Sequence, residues 1–186
     1  EVVKMLEGYL AKDGVLVTFQ NGLPEMQIAD ILGEKRVLGC TVAWGATMQS
    51  PGVCELTSEP DALSFSLGSI SAERSKHFGK VKEMLEAMGT VDVEENFIGT
   101  RWSKLLINAA FSGMSAVLGC TFGEAAGDRQ SRRVVQALIK ECIDVCAKGG
   151  IRIEPVQGKD IVKLLDYHNA VKKAIAFLII PIAIRK

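Results

Sequence analysis

The segment RWSKLLINAAFSGMSAVLG, Arg101 to Gly119, carries a lysine, an asparagine and two aligned serines on an otherwise apolar background. On a helical wheel of about 100° per residue, with Lys104 at zero, Asn108 falls at about 40° and Ser112 at about 80°. Ser115 falls at about 20° and Arg101 at about 60°, and only Ser103 lies off this stripe. A lysine on a helix ordinarily carries its ammonium out to water. A solvated face, however, is wide and rich in Glu, Lys and Gln, whereas this stripe is narrow and built mainly of short hydrogen-bonding groups. Flanked by Leu105, Leu106, Ile107 and Phe111, Lys104 is expected to be partly desolvated. Desolvation would lower its pKa and make it a candidate general acid toward an oxygen gaining negative charge. Asn108, one turn on, could fix a substrate oxygen.

A second candidate lies in TFQNGLPE, where Gln20-Asn21-Gly22 follows the compact β-branched run Val15–Phe19. Open α/β sheets bind ligands at the carboxyl ends of their strands. The same turn is also an ordinary strand-to-helix connection, since Asn and Gly tolerate positive φ.

The 186-residue chain balances 22 Lys+Arg against 22 Asp+Glu, which points away from nucleic acid and from an anionic membrane surface. The expected ligand is therefore small and locally bound. Five cysteines match neither a disulfide framework nor a zinc site, so no metal is expected. Cys142 and Cys146, four apart on one helical face, read as small core residues in a reducing cytoplasm. The opening EVVKMLEGYL lacks a basic-then-apolar leader, and both ends look cut rather than finished. AIAFLIIPIAI, Ala174–Ile184, is too short to span a bilayer and is interrupted by Pro181, so a core helix is expected.

These residues need elements to hold them. The pattern predicts a short helix over 1–14, a buried strand at Val15–Phe19 and a helix from Pro24 to Gly33. Extended segments follow in RVLGCTVAWGAT, GVCELTS and ALSFSLG, then a helix from Ala72 to about Met88 and a last strand in TVDVEE. After Asn96 the pattern is nearly all helical. Asp128 is placed to cap a helix reaching Gly149-Gly150, and another is expected from about Val156 through Tyr167. The fold class is thus α/β followed by mainly α, with a boundary near Glu94–Asn96 that divides the chain into 1–95 and 96–186.

Three ordered blocks resemble the ketopantoate reductase (2-dehydropantoate 2-reductase) family: the strand followed by QNG, RVLGCTVAWGATMQSPGVCELT, and RWSKLLINAAFSGMSAVLGCTFGE. The last is similar to the family's W-x-K-L-x-x-N signature, and FLIIPIAIRK resembles the segment shortly before the family's carboxyl-terminal motifs. The resemblance implies the closing half of a Rossmann-type NADP-binding domain. It also implies a helical carboxyl-terminal domain of the 6-phosphogluconate-dehydrogenase-like type. The implied reaction is NADPH-dependent reduction of ketopantoate to pantoate on the route to coenzyme A. On this resemblance Lys104 is the catalytic proton donor, Asn108 and Ser112 bind the 2-keto acid, and Asn21 lies near the nicotinamide. A homodimer through the helical domain is a further expectation of the same kind.

The chain departs from the family pattern in places. Ser112-Gly113 stands where many members carry Asn-Pro, and Val42-Ala43-Trp44-Gly45 stands near their T-H-x-A, without the histidine. No G-x-G-x-x-G fingerprint is present, and the carboxyl-terminal motifs are missing after Lys186. The expectation is the middle of a longer protein, inactive and poor at binding NADPH by itself. Two other readings compete. One is a related NAD(P)-dependent 2-keto acid or opine-type dehydrogenase with another substrate; the other is a non-catalytic NADP(H)-binding paralogue.

Overall fold

The computed structural model describes residues 1–156 and 158–184 and divides into two compact units, Glu1–Phe97 and Ile98–Lys186. Arg185 and Lys186, the end of the FLIIPIAIRK resemblance, lie outside the described residues.

The first unit is built on a four-stranded sheet of order β1 (Leu16–Thr18), β2 (Val37–Val42), β5 (Ser64–Ser69) and β6 (Thr90–Glu94). Its helices are α1 (Val2–Glu7), α2 (Pro24–Leu32) and α3 (Phe78–Glu86). β1 and β2 run parallel, as do β5 and β6, while β2 and β5 are antiparallel. The antiparallel step arises because β2 and β5 are joined by the hairpin β3 (Ala46–Ser50) and β4 (Val53–Leu56), not by a crossover helix.

β2 is the core strand, and alternation sorts its side chains between the two faces. Leu38 and Cys40 pack with Phe65, Leu67, Phe78 and Leu85, while Val37 packs with Ile28 and Leu32 of α2. Gly39 and Gly68 sit opposite each other on β2 and β5. Phe97 fills the space they leave. A Cβ on Gly39 would lie 2.1 Å from Phe97 Cε1, and one on Gly68 would lie 2.4 Å from Phe97 Cδ2.

The second unit is helical: α4 (Phe97–Ile107, beginning one residue before the unit), a wide π-turn at Asn108–Ser112, α5 (Gly113–Leu118) and α6 (Phe122–Gly127). These are followed by α7 (Arg129–Lys148), α8 (Ile161–Leu165) and α9 (Ala170–Ile184). Leu106, Ala110 and Phe111 join Val135, Ile139 and Ile143 of α7 and Ala176 and Ile180 of α9 in one core. The starts of α6 and α7 are capped by side chains. Thr121 and Glu124 form a reciprocal capping box on α6, and Asp128 accepts from the Gln130 and Ser131 amides at the start of α7.

Several sequence expectations need adjustment. The 72–88 helix is confined to Phe78–Glu86, because Ser69 and Ser75 hydroxyls accept from the Ser71 and His77 amides and hold the preceding chain in turns. The 1–14 helix stops at Glu7. The helix from Val156 is confined to Ile161–Leu165, preceded by a Val156–Lys159 bridge with Gly158 at φ 76° and by Asp160 as cap. RVLGCTVAWGAT is two strands broken at Ala43-Trp44-Gly45. α9 runs through Pro181 and buries one face only, since Val171, Ile175, Leu178 and Ile182 are exposed. Among the described residues no helix is long and apolar enough to cross a membrane.

Candidate active site

The second unit carries three of the candidate residues on one continuous stretch. Leu106, wholly buried, and Phe111, 1 % exposed, anchor it in the core and leave Lys104 and Asn108 half-buried. Asn108 opens the π-turn and Ser112 closes it, with the Gly113 amide donating to the Asn108 carbonyl five residues back. Ser112 Oγ donates to Asn108 Oδ1 at 3.4 Å. The structure therefore brings Asn108 and Ser112 together and sets Lys104 one turn before them. The amide NH2 of Asn108 keeps its donors for another group, because the serine engages the carbonyl end.

The π-turn changes the wheel argument. One extra residue in the helical ladder turns everything after it by roughly 100° relative to an ideal α-helix. Ser115, placed beside Lys104 by uniform pitch, is carried off that direction. Its Oγ is buried without a hydrogen-bond partner. Arg101 is 1 % exposed, and so belongs to the interior and not to a solvated edge. Ser103, the exception to the stripe, is buried, with Oγ 2.8 Å from the Gly99 carbonyl and 2.5 Å from that of Glu154. It ties the helix to the segment after α7.

Two clefts open elsewhere in this unit. One, about 520 Å³, is lined by Arg129, Arg133, Gln136, Tyr167 and Phe177 among others. The second, about 420 Å³, includes Cys146, Arg152, Glu154 and Asp160. Neither is lined by Lys104, Asn108 or Ser112.

Asn21 belongs to the first unit. β1 ends at Thr18, whose buried hydroxyl accepts from the Gln20 amide at 3.4 Å. Asn21 is exposed at the tip, Gly22 takes φ 87°, and Pro24 starts α2. The positive φ turns the chain sharply after the strand and leaves the asparagine at the carboxyl edge of the sheet. Because β1 and β2 are parallel, the residues after β2 reach the same edge. Trp44 lies there, edge-on to Phe65 with ring centroids 5.9 Å apart, and its Nε1 is buried without a partner. Sequence reasoning noted Trp44 only as a departure from T-H-x-A. The readable signal was a large ring with one polar atom directly after a buried strand.

Burial holds the Cys142 and Cys146 thiols in their neutral form. Desolvation, with Cys142 nearby, pushes Cys146 up to about 11, and desolvation also raises Cys142. Neither is a candidate nucleophile.

Residues 1–69 match the model of the family described as Ketopantoate reductase PanE/ApbA, and residues 96–174 match that of its C-terminal domain. The 2-dehydropantoate 2-reductase of Pyrococcus horikoshii is 25 % identical over 146 residues, covering 78 % of this chain and 47 % of the relative. The chain thus spans about half the length of the curated relatives it matches. Among solved structures, 2-dehydropantoate 2-reductase from Methylococcus capsulatus superposes with a TM-score of 0.70 at 24 % identity, covering 87 % of this chain and 50 % of that one. A D-mandelate dehydrogenase complex with NADH superposes with a TM-score of 0.74 at 16 % identity, covering 94 % and 55 %. With both of its units matched in order, the chain belongs to the ketopantoate reductase family.

Proposed function

We propose that this chain carries the proton-donating and substrate-holding face of an NADPH-dependent reductase that converts ketopantoate to pantoate. The observation that supports this most is the order on one helix of half-buried Lys104, then Asn108 bonded to Ser112. Reduction of a ketone adds a hydride to carbon and a proton to oxygen. Lys104 is assigned the proton, delivered from Nζ to the carbonyl oxygen as charge builds there. Asn108 offers its amide donors to a substrate oxygen and holds the keto acid in register with the lysine. Ser112 fixes the Asn108 amide and reaches the same substrate.

The reduced nicotinamide supplies the hydride when bound. Residues at the carboxyl edge of the first unit's sheet fit the nicotinamide end of such a cofactor. They offer an exposed amide at Asn21, a glycine turn that lets backbone approach, and a buried unpaired donor at Trp44. The phosphate-binding fingerprint is not part of this chain.

A keto acid other than ketopantoate is the second reading, favoured by Ser112 in place of the asparagine of many family members. Oxidation of NADPH and of NADH by the full-length protein, with ketopantoate and a panel of branched and aromatic 2-keto acids, tests both. Preference for ketopantoate with NADPH supports the first reading. Turnover of another keto acid with ketopantoate inert supports the second, and inertness to all of them contradicts both.

A further inference from the structure

Trp44 stands at an edge where two strand ends converge. It follows β2 by two residues, as Phe19 follows β1 directly, and the two strands are parallel neighbours. Phe65, paired with Val42 at the start of β5, lies between the two rings. Its centroid is 5.9 Å from that of Trp44 and 6.5 Å from that of Phe19, both in edge-to-face geometry. This packing uses the hydrocarbon of the indole only.

The indole N–H is left over. It is a donor with no accepting capacity, Nε1 is shielded from water, and no acceptor reaches it. A buried donor without a partner destabilises the fold that contains it, and a phenylalanine would pack on Phe65 without that penalty. The neighbouring residues Gln20-Asn21-Gly22 form the turn at the same edge, where open α/β sheets hold their ligands.

We propose that the Trp44 N–H donates a hydrogen bond to an oxygen acceptor of the ligand held at this edge, making Trp44 a binding residue of the reductase. The acceptor chemistry is a carbonyl or carboxylate oxygen, supplied by the nicotinamide carboxamide or by the 2-keto acid. The inference rests on the reductase reading above.

The test follows the indole ¹⁵N–¹H resonance of Trp44 in the full-length protein, identified by its loss in Trp44→Phe. Ligands are added separately: NADPH alone, then ketopantoate with NADP. Ketopantoate-dependent NADPH oxidation is measured on the same preparation. A downfield move with NADPH alone supports the inference and assigns the acceptor to the nicotinamide. A move that appears only with the keto acid supports it and assigns the substrate. The Trp44→Phe variant, which keeps the ring contact, should bind the assigned ligand about tenfold more weakly and melt no earlier without ligand. A resonance that moves in neither arm, or an unchanged affinity in Trp44→Phe, overturns the inference. With NADPH oxidation intact, that result leaves the reductase reading standing. A resonance that moves without any keto acid turnover supports the N–H as a ligand contact and sinks the catalytic reading instead.

Discussion

Ser112 Oγ donates to Asn108 Oδ1 at 3.4 Å across a π-turn, so the two residues act as one polar unit on the helix that carries Lys104. The bond selects which end of the Asn108 amide faces outward. Ser112→Ala removes that selection without adding bulk. In the full-length enzyme it should raise KM for the keto acid by about three- to tenfold and leave kcat within about twofold, the signature of lost uniform binding. Steady-state kinetics at saturating NADPH checks this. Ser112→Asn should instead redistribute preference among keto acids of different size.

Gly39 and Gly68 face Phe97 so closely that a methyl group on either would overlap the ring. Gly68→Ala should destabilise the protein by about 3 kcal/mol through overpacking. Urea unfolding followed by far-UV circular dichroism reads the loss. In Gly39→Ala, where the overlap is with the ring-edge Cε1 and Cζ of Phe97, adding Phe97→Leu should restore part of the loss, whereas a glycine needed only for backbone freedom would show no such rescue.

How far the sequence carried the fold follows from these same residues. Pro24 and Gly33 bracket α2 as read, and Asp128 caps α7 as read, because start and stop signals are local chemistry. Gly39 and Gly68 were silent, since their meaning lies in a phenylalanine distant in sequence. Lys104, Asn108 and Ser112 were legible as one stripe. Ser115 was misplaced because a wheel of uniform pitch has no room for a π-turn. Trp44 was passed over because an unpaired N–H becomes visible only once burial is known.

Asp13 sits 2.6 Å from Lys76 Nζ and 3.3 Å from His77 Nε2, and the Lys76 hydrogen bond leads in holding its carboxyl down from 3.8 to about 2. Because the folded-state value is depressed, its contribution is present above pH 4 and is lost as pH falls toward 2. The group is exposed, so the effect is small and salt-screened. Asp13→Asn should lower the melting temperature slightly at pH 6 in low salt. The difference should close by pH 2 and shrink in 0.5 M salt, a value on the order of which shortens screening to a few ångströms.

Cys54 is exposed, while Cys146 is buried with its thiol pushed up to about 11 and Cys142 is raised by desolvation. Brief iodoacetamide treatment of the native protein at neutral pH should alkylate Cys54 and leave Cys142 and Cys146 unmodified until denaturant is added. Peptide mass spectrometry reads the order. Early labelling of Cys146 would contradict its place in the helical core.

The central claim is that Lys104 gives the proton. The direct measurement is kcat and KM for ketopantoate, with NADPH, in full-length wild type, Lys104→Ala and Lys104→Met, alongside NADPH binding by each. The account predicts that kcat falls by about 10² to 10⁴ in both variants while NADPH affinity stays within a few-fold, the cost of removing a positioned general acid. Wild-type turnover in Lys104→Ala would contradict the account.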